Sequence, residues 1–218
     1  MPLLQIAENI WVEERDLRFM GLEMGTRMTV IDLDGKGTLF VHSPNELTHA
    51  LRAELEKLGK VAHVISPNLL HHLFIADFKT AFPGAKHYCA PGLEKKRADF
   101  SFDGIIDSSQ NYPWNPTLHH ALIEGTPKVN EVVFFHPATR TLVLTDLAMH
   151  ICESNSFATK LAFRLMGAYG KFGWSKTEKF LFIRDKAKFR RSIEKLLEWD
   201  FDRIVLSHGT LVETGGKA

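Results

Sequence analysis

Apolar and polar positions along the chain repeat with two periods, and the switches between them mark out the elements. Arg27–Leu33 and Gly37–Val41 are short β-rich runs on either side of Asp34-Gly35-Lys36, which predicts a hairpin. Ser43-Pro44-Asn45-Glu46 carries Glu three residues after Ser, with Pro at the first helical position. That is the signature of a capping box, so a helix is expected from there to Gly59 on the apolar face Leu47, Ala50, Leu51, Leu55 and Leu58. Val61–Ser66 reads as a buried strand. His71–Ala81 reads as a helix stopped by Pro83-Gly84, and Lys86–Ala90 as another strand.

Three further runs, Leu118–Ile123, Glu131–Phe135 and Thr141–Thr145, are rich in β-branched and aromatic residues. The last two are joined as a hairpin through Pro137-Ala138-Thr139-Arg140. Ser156–Gly170 predicts a helix with the apolar face Phe157, Leu161, Leu165 and Ala168. Ala187–Trp199 predicts another on Phe189, Ile193, Leu196 and Leu197. Arg203–Ser207 is a final strand, followed at once by His208-Gly209. Strands come first, then strand–helix alternation, then strands and helices again. This order predicts a mixed α/β fold with two sheets rather than one doubly wound sheet. No linker or repeat divides it, so one domain over residues 1–218 is expected.

Composition narrows the function classes. The 27 Lys and Arg against 26 Asp and Glu leave a net charge of +1, without the basic excess of a dedicated nucleic-acid binder. No apolar run approaches the roughly 18 residues of a membrane span. The start of the chain lacks a basic segment leading into an apolar one, so no signal peptide is expected. Two cysteines cannot staple a fold of this size, which points to a reducing cytoplasm. Eleven histidines are the unusual supply, histidine being the residue most used for metals and for proton transfer near neutral pH.

The chain has no His-Glu-x-x-His, Cys-x-x-Cys, phosphate-binding loop or Gly-x-Ser-x-Gly. Ser192-Ile193-Glu194-Lys195 matches Ser-x-x-K by chance, on the polar side of a helix and without companion motifs. What remains is a set of metal-capable residues where strands end. Val61–Ser66 runs into Pro67-Asn68-Leu69-Leu70-His71-His72. Thr141–Thr145 ends in Asp146, and Arg203–Ser207 ends in His208. Loops at the ends of rigid strands are where chemistry is usually mounted. Imidazole and carboxylate suit zinc, iron or manganese.

That ordered set, with Leu144-Thr145-Asp146 and Ser207-His208-Gly209 as its most specific pieces, resembles the metallo-β-lactamase fold superfamily over nearly the whole chain. The resemblance implies a four-layer αββα sandwich: two sheets face to face with helices outside. The family's first motif, T-H-x-H-x-D-H, falls on Ser66–His72. Pro67 and Leu69 stand where two histidines would be, His71 stands for the aspartate, and His72 matches. Thr126, after Gly125, stands in place of the family's next histidine. Asp146 matches the bridging aspartate and His208 the last histidine. The three lost histidines all serve one of the family's two metals. The resemblance therefore implies a mononuclear centre drawn from His71, His72, Asp146 and His208, holding one divalent ion. Zinc is the first expectation, with iron or manganese open. The expected activity is metal-dependent hydrolysis of a small molecule by water on that ion, held by His72, Asp146 and His208, with His71 as fourth ligand or catalytic proton shuttle. A catalytically silent metal- or ligand-binding relative and a mononuclear-iron redox enzyme are the alternatives.

The remaining histidines read as ordinary strand, helix and loop residues, with His42, His136 and His150 as candidate pocket edges. Asn68 and Ser207 are candidate hydrogen-bond supports for the ligands. Residues 154–182 admit three readings: a helical cap over the site, an amphipathic pair packed on the sheet with a solvated basic face, or a membrane-surface stretch. The expected partners are a small-molecule substrate and, at most, a second copy of the chain in a homodimer. Neither nucleic acid nor a membrane is expected.

Overall fold

A computed structural model describes residues 2–217; Met1 and Ala218, the ends of the expected domain, lie outside the described residues. The chain opens with β1 (Leu4–Ala7) and β2 (Ile10–Arg15). A small projecting hairpin follows, β3 (Arg18–Phe19) and β4 (Leu22–Glu23). Then come β5 (Thr26–Asp32), β6 (Thr38–His42), α1 (His49–Leu58), β7 (Lys60–Ser66), α2 (Ile75–Ala81), β8 (Lys86–Cys89), α3 (Leu93–Lys96) and β9 (Gly104–Ile105). The first sheet has seven strands in the order β1-β2-β5-β6-β7-β8-β9. The second is formed by β10 (His119–Leu122), β11 (Val132–His136), β12 (Thr141–Val143) and β13 (Arg203–Val205), in that order. Helices α4 (Phe157–Leu165), α5 (Lys176–Phe182) and α6 (Lys186–Leu196) lie between β12 and β13 in the chain.

Side-chain alternation builds the layers. Ile31, Phe40 and Ile65 of the first sheet share one buried core with Val132, Phe134, Val143 and Val205 of the second. Their neighbours in the chain point the other way. Val30, Val41 and Val64 meet Leu51 and Leu55 of α1 and Phe78 of α2. Val133, Leu142 and Ile204 meet Leu196 of α6, with Phe189 and Ile193 packed alongside. The architecture is the αββα sandwich that the sequence led one to expect. Cys89 and Cys152 are free thiols. Among the described residues no helix is long and apolar enough to cross a membrane.

Three local expectations are corrected. The helix expected from Ser43 begins at His49, where Thr48 is the N-cap and its hydroxyl accepts the Leu51 N–H at 3.2 Å. Ser43 instead takes left-handed backbone, φ 55°, and its hydroxyl is used elsewhere. The helix expected from His71 begins at Ile75, because the residues before it form an irregular loop. The third correction concerns α4. Of its expected apolar face, Phe157, Leu161 and Leu165 face solvent and Ala168, past the end of the helix, is buried, while Thr159 and Phe163 are buried as well. The Thr159 hydroxyl accepts the Glu23 N–H at 2.9 Å, and Glu23 also takes the Ser154 hydroxyl and the Ser156 N–H. These bonds to β4 set the rotation of α4 and turn Phe163 inward onto Leu22 and Met24.

His87 of β8 shows what burial does to a histidine without partners. Neither of its ring nitrogens has a hydrogen-bond partner among the described residues. Burial, helped by the nearby Lys79 charge, pushes its pKa down to about 4. The unfolded chain takes up that proton near pH 6.5, and the native chain does not until about pH 4. Stability contributed by neutral His87 is therefore present at pH 7 and lost as pH falls through that window. Between pH 7 and pH 5 the wild type should lose about 2 kcal/mol more stability than His87→Leu. Urea denaturation at the two pH values measures this, and equal losses would refute it.

Candidate metal centre

The register of two strands brings the first two candidate residues together. β12 and β13 run parallel, with Val143 opposite Val205, and the ladder continues from the Leu144 N–H to the Val205 carbonyl. Asp146 and His208 each lie three residues past that pair, so they leave the sheet side by side. Gly209 makes the turn after His208 at φ +92°, and a Cβ there would sit 2.2 Å from the His150 carbonyl oxygen. Only glycine fits both demands. Arg27, itself buried, donates to the carbonyls of Leu206 and, at 2.7 Å, of Gly209, pinning the end of β13 from the facing sheet.

His71 arrives from the loop after β7. Asn68 organises this loop. Its Oδ1 accepts the N–H groups of Leu70 and His71, both at 2.8 Å. Its Nδ2 lies 2.7 Å from Asp146 Oδ2, 2.8 Å from the Thr145 hydroxyl and 3.2 Å from Glu131 Oε2. One amide thus turns His71 inward and ties the β7 loop to the end of β12.

Ligand-type atoms of these three residues converge. His71 Nε2 and His208 Nε2 are 3.2 Å apart. His71 Nε2 is 3.3 Å from Asp146 Oδ2, and His208 Nε2 is 3.3 Å from Asp146 Oδ1. Among the described residues this is the one group of three or more histidine, cysteine or acidic side chains spaced to hold a metal. Each imidazole is held from behind. His208 Nδ1 donates to the Gly25 carbonyl at 2.7 Å, and His71 Nδ1 pairs with the Ser43 hydroxyl at 2.7 Å. The left-handed backbone that puts Ser43 there costs of order 1 kcal/mol. The Gly25 contact puts the proton of neutral His208 on Nδ1 and leaves the Nε2 lone pair facing the cluster. This is the usual outer support of a metal-binding histidine.

Electrostatics reinforce the convergence. Burial works to raise the Asp146 pKa, but the two imidazoles outweigh it and hold the carboxyl well below the usual carboxylate range. Burial likewise opposes charge on His208, yet Asp146 raises its pKa. Behind Asp146 lies a second buried carboxyl, Glu131. Its oxygens accept the N–H of Thr145 at 2.6 Å and of Asp146 at 2.7 Å. Burial first, and the Asp146 charge second, push Glu131 upward. Sequence reasoning did not single out Glu131. Its signal was a lone acid opening the otherwise apolar run Val132–Phe135.

His72 does not join the cluster. Its Nδ1 and its carbonyl each face Arg97 Nη1 at 3.2 Å, and burial together with the Lys96 and Arg97 charges lowers its pKa. The Asn68 bonds hold the loop with His71 facing the cluster and His72 facing Arg97. Pro67, Leu69 and Thr126 offer no ligand atom of the metal-binding type. The Thr126 hydroxyl instead bonds the Ile123 carbonyl at 3.2 Å. His150 edges the site, its backbone bonded to His208 and Thr210. The 154–182 segment touches the centre at Trp174, whose indole N–H donates to the Asp146 carbonyl. A cavity of about 540 Å³ lies by the backbone that flanks His208, walled by Arg15, Arg18, Glu23, Gly25, Ser207 and Gly209 among others; His71, Asp146 and His208 do not line it.

The distances fit a metal. Tetrahedral zinc with bonds of about 2.0–2.1 Å has ligand–ligand edges of about 3.3 Å; the two imidazole Nε2 atoms stand 3.2 Å apart, and each is 3.3 Å from one of the two Asp146 oxygens. Two imidazoles and one carboxylate are also the donor set of three-ligand catalytic zinc and of non-haem iron.

The strand order, the layers and this site define the metallo-β-lactamase fold. Solved structures agree at low sequence identity. A metallo-β-lactamase from Pontibacter korlensis superposes with a TM-score of 0.68 at 12% identity, covering 96% of this chain and 92% of its own. The metallo-β-lactamase FIM-1 from Pseudomonas aeruginosa in its mono-zinc form gives 0.62 at 9% identity, covering 97% and 90%. The metal-soaked flavodiiron core Flv1 from Synechocystis sp. PCC6803 gives 0.64 at 14% identity, covering 96% of this chain and 56% of that one. Residues 7–166 match the family described as Domain of unknown function (DUF4336), and the chain belongs to that family. No curated protein sequence matches it.

The Asn68 junction gives a direct test. Asn68→Ala strips a donor from two buried carboxyls and an acceptor from two N–H groups. Chemical denaturation should show a loss of about 3 kcal/mol. A loss under about 0.5 kcal/mol, the level of an ordinary surface change, would mean that the junction is not needed.

Proposed function

We propose that this chain is a metal-dependent hydrolase of a small molecule, with one divalent ion held by His71, Asp146 and His208. The observation that carries the reading is the convergence of two imidazole Nε2 atoms 3.2 Å apart, each 3.3 Å from a different oxygen of the Asp146 carboxylate, with both imidazoles braced at Nδ1. An ion there would supply a water acidified toward neutral pH and would polarise a substrate oxygen.

The rest of the work belongs to the chain. His71 and His208 turn Nε2 toward the common focus and keep their orientation through Ser43 and Gly25. Asp146 contributes the one anionic ligand and is fixed by Asn68 and by the Glu131–backbone bonds. Three protein ligands leave a position open for water and substrate, where four around tetrahedral zinc would close it. A cavity bounded by Gly25 and Gly209, on the Nδ1 side of His208, is a volume able to admit a small molecule. Its wall carries both arginines and acids, which suits a polar substrate. Pro67, Leu69 and Thr126 supply no ligand for a second ion, so the reading is mononuclear. The neighbour in mono-zinc form is in keeping with that.

A second reading rests on the donor set alone. Two histidines and one carboxylate also suit mononuclear iron and redox chemistry, and a flavodiiron core is among the similar folds.

Metal analysis of the purified protein separates these. The hydrolase reading expects one zinc per chain, lost in His208→Ala and Asp146→Ala and kept in His72→Ala. Two ions per chain, or loss in His72→Ala, contradict the assignment. Iron as the bound metal favours the second reading. A screen of ester, lactone and phosphoester substrates with the loaded protein then tests hydrolysis itself, and His71→Ala should lower any activity found by at least about 100-fold.

A further inference from the structure

Helix α4 presents an apolar stripe to solvent. Phe157, Leu161 and Leu165 stand at i, i+4 and i+8, one above another on successive turns, and are 75%, 45% and 80% exposed. The stripe is about 12 Å long at the helical rise. An amphipathic helix normally turns such a face to the core. Here the opposite face is docked, through Phe163 and the bond from Glu23 to Thr159. A contiguous apolar face left in water marks an interaction surface. The next stretch of chain continues the theme, with Phe172, Phe180 and Leu181 also exposed.

The charge around the stripe identifies what it fits. Residues 154–184 hold six basic side chains, Lys160, Arg164, Lys171, Lys176, Lys179 and Arg184, against one acid. That acid, Glu178, is used within the chain: its carboxylate accepts the Ser175 N–H at 2.8 Å in a capping box. None of the six cations forms an ion pair among the described residues; Arg164 lies instead over the Tyr169 ring at 5.0 Å. The chain as a whole carries only +1, so its positive charge is concentrated here. A second copy of the chain would bring two such unpaired basic faces together, and like charges would oppose the contact.

An apolar helix face bordered by lysine and arginine is suited to the interface of a bilayer bearing negative headgroups. We propose that α4 is a peripheral docking element for an anionic lipid surface. Phe157, Leu161 and Leu165 enter the boundary between headgroups and acyl chains, and Lys160 and Arg164 meet the headgroups. From the sequence, packing of this stretch on the sheet is the favoured reading over a cap or a membrane-surface role, and no membrane partner is expected; the docked orientation of α4 reverses that order. The proposal is independent of the metal centre.

Co-sedimentation of the full chain with vesicles tests it. Binding should be weak to phosphatidylcholine alone, rise at least about tenfold when phosphatidylserine is included, and fall as salt is raised. The double variant Leu161→Asp/Leu165→Asp should lose at least about tenfold in binding. Lys160→Glu/Arg164→Glu should remove most of the phosphatidylserine dependence. Leu161, Arg164 and Leu165 are exposed and Lys160 is half-exposed on the flank of α4, and unchanged thermal melting of the variants checks that the fold is kept. Three results overturn the proposal: no binding to phosphatidylserine vesicles, wild-type binding by either variant, or a concentration-dependent dimer that Leu161→Asp/Leu165→Asp abolishes.

Discussion

The site depends on one unfavourable act, the withdrawal of the Asp146 carboxylate from water. A buried carboxylate must be matched by donors or by positive charge. Here the matching groups come from two loops: Asn68 and His71 from the loop after β7, and His208 from the end of β13. Glu131 adds a second buried carboxyl to the same cluster and makes the deficit of positive charge larger. No lysine or arginine contacts the Asp146 side chain among the described residues. Two imidazoles presenting Nε2 are the groups that face it directly, and a divalent ion at their common focus would satisfy all three at once. Structural support and metal-binding geometry thus have the same origin.

The fold brings this about with little adjustable structure. Parallel pairing of β12 and β13 makes Asp146 and His208 neighbours by register alone. Gly25, at the start of β5, and Ser43, just past the end of β6, brace the two imidazoles from the facing sheet. The centre therefore sits on the rim where the two sheets meet. Both sheets are held by the shared core of Phe40, Ile65, Phe134 and Val205, so the ligand spacing inherits the rigidity of the sandwich.

Much of this could be read from the chain, and what could not has specific causes. Strand ends were legible because a β-branched run that stops at Asp146 or His208 leaves little choice of where that residue goes. The choice between His71 and His72 was not legible. It is made by the Asn68 side chain capturing two backbone N–H groups, and a polar residue in a loop gives no sign of its partners beforehand. Ser43 misled for a related reason: the sequence Ser-Pro-Asn-Glu fits a capping box, but the hydroxyl is drawn to His71 and the backbone turns left-handed instead. The orientation of α4 was hidden because periodicity identifies an apolar face without saying which surface it meets. Thr159 and Glu23, distant in sequence, decide that.

The central claim is that one ion is held by two imidazoles and one carboxylate. X-ray absorption at the metal edge of the loaded protein measures this most directly. The account predicts nitrogen and oxygen scatterers at about 2.0–2.1 Å, outer-shell scattering from two imidazole rings, and no metal–metal vector. A third imidazole, or a second metal at about 3.5–4 Å, would contradict it.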